Sequence, residues 1–157
     1  MDQLSSLFDP DQAALGISGG SYVDCLGAFL TTLVSRGVLT GEQRQSLEGA
    51  LMNRESLGGT GLGRGVAVPH AYLDALPRTM LLVARLERPV QHPSPDGIPV
   101  DLLFILCGPT SAQGLHLVTL ARLVRLLHDT QLLEHLRQAA SPEDLFSALE
   151  EVELRRV

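Results

Sequence analysis

A chain of 157 residues with 45% hydrophobic content is long enough for one domain with a real core, and no stretch of it is long or apolar enough to span a bilayer. The net charge is −6, and all 12 basic residues are arginine, scattered except for Arg155-Arg156 at the tail. This excludes a basic stripe for nucleic acid, lysine Schiff-base chemistry and nucleotide hydrolysis through a P-loop lysine, and leaves an acidic surface compatible with a basic protein partner.

The first residues, Met1-Asp2-Gln3-Leu4-Ser5-Ser6, lack the basic start and apolar run of a signal peptide, so a cytoplasmic protein is expected. Residues 4–8 suit a short helical turn that Asp9-Pro10 breaks, and Ala13 to Ile17 a short edge strand closed by Gly19-Gly20-Ser21. Ser21 suits an N-cap. Tyr22, Leu26, Phe29, Leu30 and Leu33 then recur at helical spacing to about Arg36, and Gly37 stops the helix. Thr40 with Gln43 makes a capping box for a second helix, carried by Leu47, Ala50 and Leu51 to about Glu55. Residues 57–65 read as a glycine-rich loop, and Val66 to Val68 as a short strand that Pro69 terminates.

Thr79 to Leu86 reads as a buried strand, followed over residues 87–99 by a loop with four prolines and an Asp96-Gly97 turn. Val100 to Cys107 is the strongest strand. It is apolar apart from Asp101, as expected of a central strand covered on both faces. Helices follow from Gln113 to about His128, from Gln131 to Ala139, and from Pro142, capped by Ser141, to about Val152. Helices and strands mix without strict alternation, repeat or linker. The expected fold is a single α/β domain over residues 1–157, a small mixed β-sheet flanked by helices on both faces.

Residues 55–71 carry the most informative pattern, because flexible glycines run into a short apolar strand that ends at Pro69 and His70. Neutral imidazole is a usable nucleophile near neutral pH. Backbone N–H groups in a glycine-rich turn suit an anionic oxygen group. Together they suggest a histidine that receives a phosphoryl group, with Gly59, Thr60, Gly61 and Gly63 either as a pocket for it or as residues that allow tight turns. Elsewhere, Cys25 and Cys107 read as buried free thiols, and Asp101 as a wet residue at a strand entrance. Arg64, His92, His128 and His135 read as surface residues.

This stretch resembles the active-site signature of the IIA components of the phosphoenolpyruvate-dependent sugar phosphotransferase system, of the fructose, mannitol and nitrogen-regulatory type. Glu55 opens the signature, Leu62-Gly63 and Val66-Ala67-Val68 follow, and Pro69-His70-Ala71 close it, with every constrained position filled. His116-Leu117-Val118-Thr119-Leu120-Ala121 matches in full the family's second-histidine pattern, and Arg54-Glu55 its Arg-Glu pair. The resemblance implies that His70 takes a phosphoryl group from the histidine phosphocarrier protein and passes it to a cysteine on a IIB domain. It also implies that His116 hydrogen-bonds the phosphoryl oxygens or orients His70, and that Arg54 stands beside the nucleophile. No cofactor or metal is expected.

A free-standing domain points to the nitrogen-regulatory branch, where phosphorylation controls binding to a regulated protein; sugar-specific uptake is the alternative. A binding module without phosphotransfer is disfavoured by the presence of His70, His116 and Arg54 together. A metal hydrolase built on His70, His116 and Asp101 is disfavoured because no close ligand spacing occurs. The chain departs from the family at Ala71-Tyr72-Leu73, where a Gly-Lys or Gly-x pair is more usual, so a cationic option near the phosphoryl group is lost.

Overall fold

The computed structural model describes residues 3–155. The start of the chain at Met1 and Asp2, and the second arginine of the tail pair, lie outside the described residues. In chain order come strand β1 (Ala13–Ile17), helices α1 (Tyr22–Ser35) and α2 (Gly41–Ser56), and strands β2 (Gly61–Gly63), β3 (Val66–Ala67), β4 (His70–Tyr72), β5 (Met80–Val90) and β6 (Val100–Gly108). Helices α3 (Gln113–Leu126), α4 (Thr130–Gln138) and α5 (Pro142–Arg155) complete the fold.

Local chemistry sets the helix ends. Ser21 accepts a hydrogen bond from the Asp24 N–H, and Ser141 from the Asp144 N–H. Thr40 and Gln43 exchange both bonds of a capping box. Gly37 leaves α1 in the left-handed region, at φ 77°, where a side chain would be strained.

The sheet is mixed, in the order β1-β5-β6-β3-β2, with β4 also paired to β6. β5 and β6 run antiparallel, from Met80 opposite Cys107 to Arg85 opposite Leu102, and β1 lies parallel to β5 as an edge strand. Strand pleat sends alternate residues of this pair to opposite faces. Leu82, Ala84, Leu103 and Ile105 join Leu26, Phe29 and Leu30 of α1 and Leu47 and Leu51 of α2 in one core. Leu81, Val83, Leu102 and Phe104 join Leu123 of α3, Leu133 and Leu136 of α4 and Leu149 of α5 in the other. Helices therefore cover both faces, as expected.

Three strand boundaries differ from expectation. Pro69 does not end pairing: β3 and β4 run in line along one side of β6, with Val66 opposite Leu102 and His70 opposite Leu106. Proline lacks an N–H, but its carbonyl accepts from the Leu106 N–H at 3.0 Å, so the ladder carries across the break. The glycine loop holds β2, which pairs antiparallel with β3. β5 continues past Leu86 to Val90, with a register irregularity between Arg85 and Val90.

Arginines close the ends of helices. Arg64, at φ 56°, donates to the Leu127 and His128 carbonyls beyond α3 at 2.9 Å each, and is half-buried rather than a surface residue. Arg85 donates to the Leu136, Arg137 and Ala139 carbonyls at 2.9, 3.0 and 2.8 Å. Asp101, half-buried at the entrance to β6, pairs with Arg137 at 2.8 Å. The N-terminal segment is held by Glu153, whose carboxylate accepts from the Leu4 N–H at 2.6 Å and the Ser5 N–H at 3.3 Å. Glu153→Ala leaves the buried Leu4 N–H without a partner and is expected to lower unfolding free energy by about 1–3 kcal/mol in denaturant titration.

Candidate functional site

His70 stands on β4, at the side of the sheet where α2 and α3 approach from its two faces. The cleft between them has a volume of ≈ 480 Å³. Its walls are Ala50, Asn53 and Arg54 from α2, His70, Ala71 and Tyr72 from β4, and His116, Leu117 and Leu120 from α3. Leu57 adds to the rim and is 84% exposed; Leu117 is 54% exposed.

The His70 ring is fixed by its own chain. Nδ1 lies 2.9 Å from the Val68 carbonyl oxygen. A carbonyl only accepts, so Nδ1 carries the proton and, in the neutral ring, the lone pair sits on Nε2. Pro69 lies between the two residues and keeps the pairing with β6 through its carbonyl.

His116 lies in the first turn of α3, 2% exposed, its ring centroid 6.1 Å from that of His70 and 4.4 Å from that of Tyr72. Its Nδ1 is buried without a hydrogen-bond partner. Burial, and then the neighbouring charge of His70, pushes the His116 pKa below the usual histidine value. The unfolded chain therefore takes up the proton more readily, and stability falls as pH drops below about 6.5. Wild type is expected to lose thermal midpoint between about pH 7 and about pH 5.5, and His116→Asn to lose much less, as read by differential scanning calorimetry.

Arg54 is on the last turn of α2, with Nη1 donating to the Gly58 carbonyl at 2.9 Å. The structure thus brings His70, His116 and Arg54 to one cleft. The loop residues Gly59, Thr60, Gly61 and Gly63 do not line it. Instead the loop folds against residues 93–96: a Cβ on Gly61 would strike the Pro93 carbonyl, and Gly63, at φ 96°, packs beside the Asp96 carboxylate. The Thr60 hydroxyl donates to Glu55.

His92 corrects the expectation of a surface residue. Its side chain is 5% exposed, stacks on the Tyr22 ring at 3.9 Å between centroids, and places Nε2 3.5 Å from Glu55 Oε2. The proline-rich sequence around it carries no sign of this, because both contacts come from distant parts of the chain. His128 and His135 are exposed, as expected. Cys25 and Cys107 are buried and unpaired, and burial pushes the Cys107 thiol up to about 12. Among the described residues no three His, Cys, Asp or Glu side chains gather as a metal site. Asp101, with Arg137, borders a separate cleft. No helix of the described residues is long and apolar enough to cross a membrane.

A nitrogen regulatory protein of Bradyrhizobium diazoefficiens is 42% identical over 111 residues, covering 71% of this chain and 72% of that one. One of Pseudomonas aeruginosa is 32% identical over 153 residues, covering 98% of each. The crystal structure of nitrogen regulatory protein IIA-Ntr from Neisseria meningitidis superposes with a TM-score of 0.83 at 29% identity, over 93% of this chain and 98% of that one. The family model of the phosphoenolpyruvate-dependent sugar phosphotransferase system, EIIA 2, matches residues 6–152, with the histidine cleft inside the matched span. The chain belongs to that family of phosphotransferase-system IIA proteins.

Proposed function

We propose that this protein is a cytoplasmic phosphocarrier that accepts a phosphoryl group on His70 Nε2 from the histidine phosphocarrier protein, and that it acts in the nitrogen-regulatory branch. The observation that carries the reading is the pinned His70 ring, Nδ1–H on the Val68 carbonyl and Nε2 free, in a cleft shared with Arg54 and His116. Nε2 attacks phosphorus in line. A new P–N bond forms as the donor's P–N bond breaks, and the electron pair of that bond returns to the donor imidazole. Both bonds are phosphoramidate-like, so the step is close to reversible, as a relay requires. The protein's part is positioning and charge stabilisation. Arg54 is suited to the phosphoryl oxygens with its guanidinium fork. Neutral His116 can donate one N–H, and the positive end of the α3 dipole lies at the same place.

The exposed Leu57 and Leu117 on the rim fit a protein donor better than a small anion. The relatives named nitrogen regulatory proteins favour the regulatory branch, in which a regulated protein reads the charge added at this surface; a IIB domain is the acceptor in the sugar-specific alternative. The test is intact mass after incubation with phosphoenolpyruvate and the general phosphotransferase proteins. One phosphoryl group, lost in acid and kept in base, is the expected result. A folded protein that stays unmodified would count against the reading.

A further inference from the structure

The residue after Arg54 is the centre of a buried cluster that the phosphoryl chemistry does not use. Glu55 has a side chain only 10% exposed. The Thr60 hydroxyl donates to its Oε1, and His92 Nε2 lies 3.5 Å from its Oε2. Tyr22, the first residue of α1, stacks on the His92 ring with 22° between planes. Its hydroxyl is buried beside the same carboxylate without a hydrogen-bond partner. Burial works to raise the Glu55 carboxyl, but His92 and the Thr60 hydroxyl outweigh it and hold the group below the usual carboxylate range. A carboxylate that stays charged at such low exposure depends on these neighbours.

The same cluster fastens four segments to one another, with Tyr22 at the start of α1. Glu55 belongs to the last turn of α2, Thr60 to the glycine loop and His92 to the loop after β5. The two loops also pack directly, since Gly59 and Gly61 lie against Pro93, the residue after His92. Arg54 reaches into this assembly through its bond to the Gly58 carbonyl, while its side chain borders the His70 cleft. Tyr22, Glu55, Thr60 and His92 themselves do not line that cleft.

We propose that His92 is a positioning residue for phosphoryl transfer: held between the Tyr22 ring and the Glu55 carboxylate, it locks the end of α2 to the loop after β5, on which the glycine loop packs, and so sets the Arg54 guanidinium against the phosphoryl group on His70. The inference rests on the phosphocarrier reading. It makes a demand that a merely stabilising histidine would not, namely that the effect of His92 on rate passes through Arg54.

The experiment is a double-mutant cycle on the full chain, with phosphoramidate as a small chemical donor and phosphohistidine formation followed by intact mass. His92→Ala, in protein whose circular dichroism matches wild type, is expected to slow phosphorylation on the order of tenfold. His92→Gln, which keeps a side-chain N–H but not the ring that stacks on Tyr22, is expected to recover only part of the rate. In an Arg54→Ala background His92→Ala is expected to have no further effect. If His92→Ala does not fold, Tyr22→Leu removes the stacking partner and is expected to show the same dependence on Arg54. An equal slowing in both backgrounds, or a wild-type rate for His92→Ala, overturns the proposal. Phosphoramidate needs no protein donor. Phosphorylation of wild type by phosphoramidate but not by the protein relay therefore counts against the donor assignment alone, and the His92 comparison still decides. No uptake on His70 from either donor overturns both.

Discussion

His70→Ala is expected to take up no phosphoryl group from the relay, and phosphorus–nitrogen NMR couplings in the wild type are expected to place the group on Nε2. The first outcome follows because, of the two imidazoles among the described residues of the cleft, His70 is the one open to a donor. His116 is beside it, but at 2% exposure its ring is not open to an in-line donor. The second follows from the 2.9 Å contact between Nδ1 and the Val68 carbonyl, which occupies one nitrogen with a proton and leaves the other to attack. Phosphorylation at Nδ1 would require that bond to break and the ring to turn over. Finding the group there would reject the pinned-ring mechanism even if His70 proved to be the acceptor. Retained uptake by the folded alanine variant would move the acceptor elsewhere.

Arg54→Ala is expected to lower the rate constant at saturating donor by about a hundredfold to a thousandfold, the usual loss when one preorganised donor to a developing anion is removed. Arg54→Lys is expected to fall between the two, because an ammonium restores the charge but not the two-pronged fork. Stability should change little. The one side-chain hydrogen bond that Arg54 makes among the described residues, to the Gly58 carbonyl, lies at an exposed turn and contributes about 1 kcal/mol at most. Rapid-quench kinetics with the phosphorylated donor protein separates the rate constant from donor affinity. A change in affinity alone would assign Arg54 to docking rather than to the transferring group.

The capped helices were legible because their signals are local. Ser21, Thr40 with Gln43, and Ser141 before Pro142 each act on backbone groups within a few residues, and each acts as expected. β6 was legible for another reason, since a strand with both faces covered needs a nearly unbroken apolar run. What was hidden depends on partners far away in the chain. Pro69 reads as a strand end when only its missing N–H is considered, yet its carbonyl meets Leu106 on a strand formed more than thirty residues later. His92 reads as solvated among prolines, yet Tyr22 and Glu55 bury it. The glycines of residues 59–63 read as a cradle for phosphate or as turn residues, whereas close approach to Pro93 and Asp96 accounts for their lack of side chains. No spacing rule joins His116 and Arg54 to His70. The family resemblance suggested that grouping, and the fold brings the three to one cleft.

The guanidinium groups that close the helix ends have a practical consequence. Arg85 reaches three carbonyls through Nη1, while Arg64 reaches two through both of its terminal nitrogens, a geometry that an ammonium on a single stem does not reproduce, and the chain has no lysine at all. Acetylation or ubiquitination of lysine side chains has nothing to act on within these 157 residues. Amine-reactive crosslinkers, the common tool for trapping transient complexes, will find no side chain here to attack. A contact map of this protein with its donor must therefore be built from carboxylate-directed or photoreactive reagents.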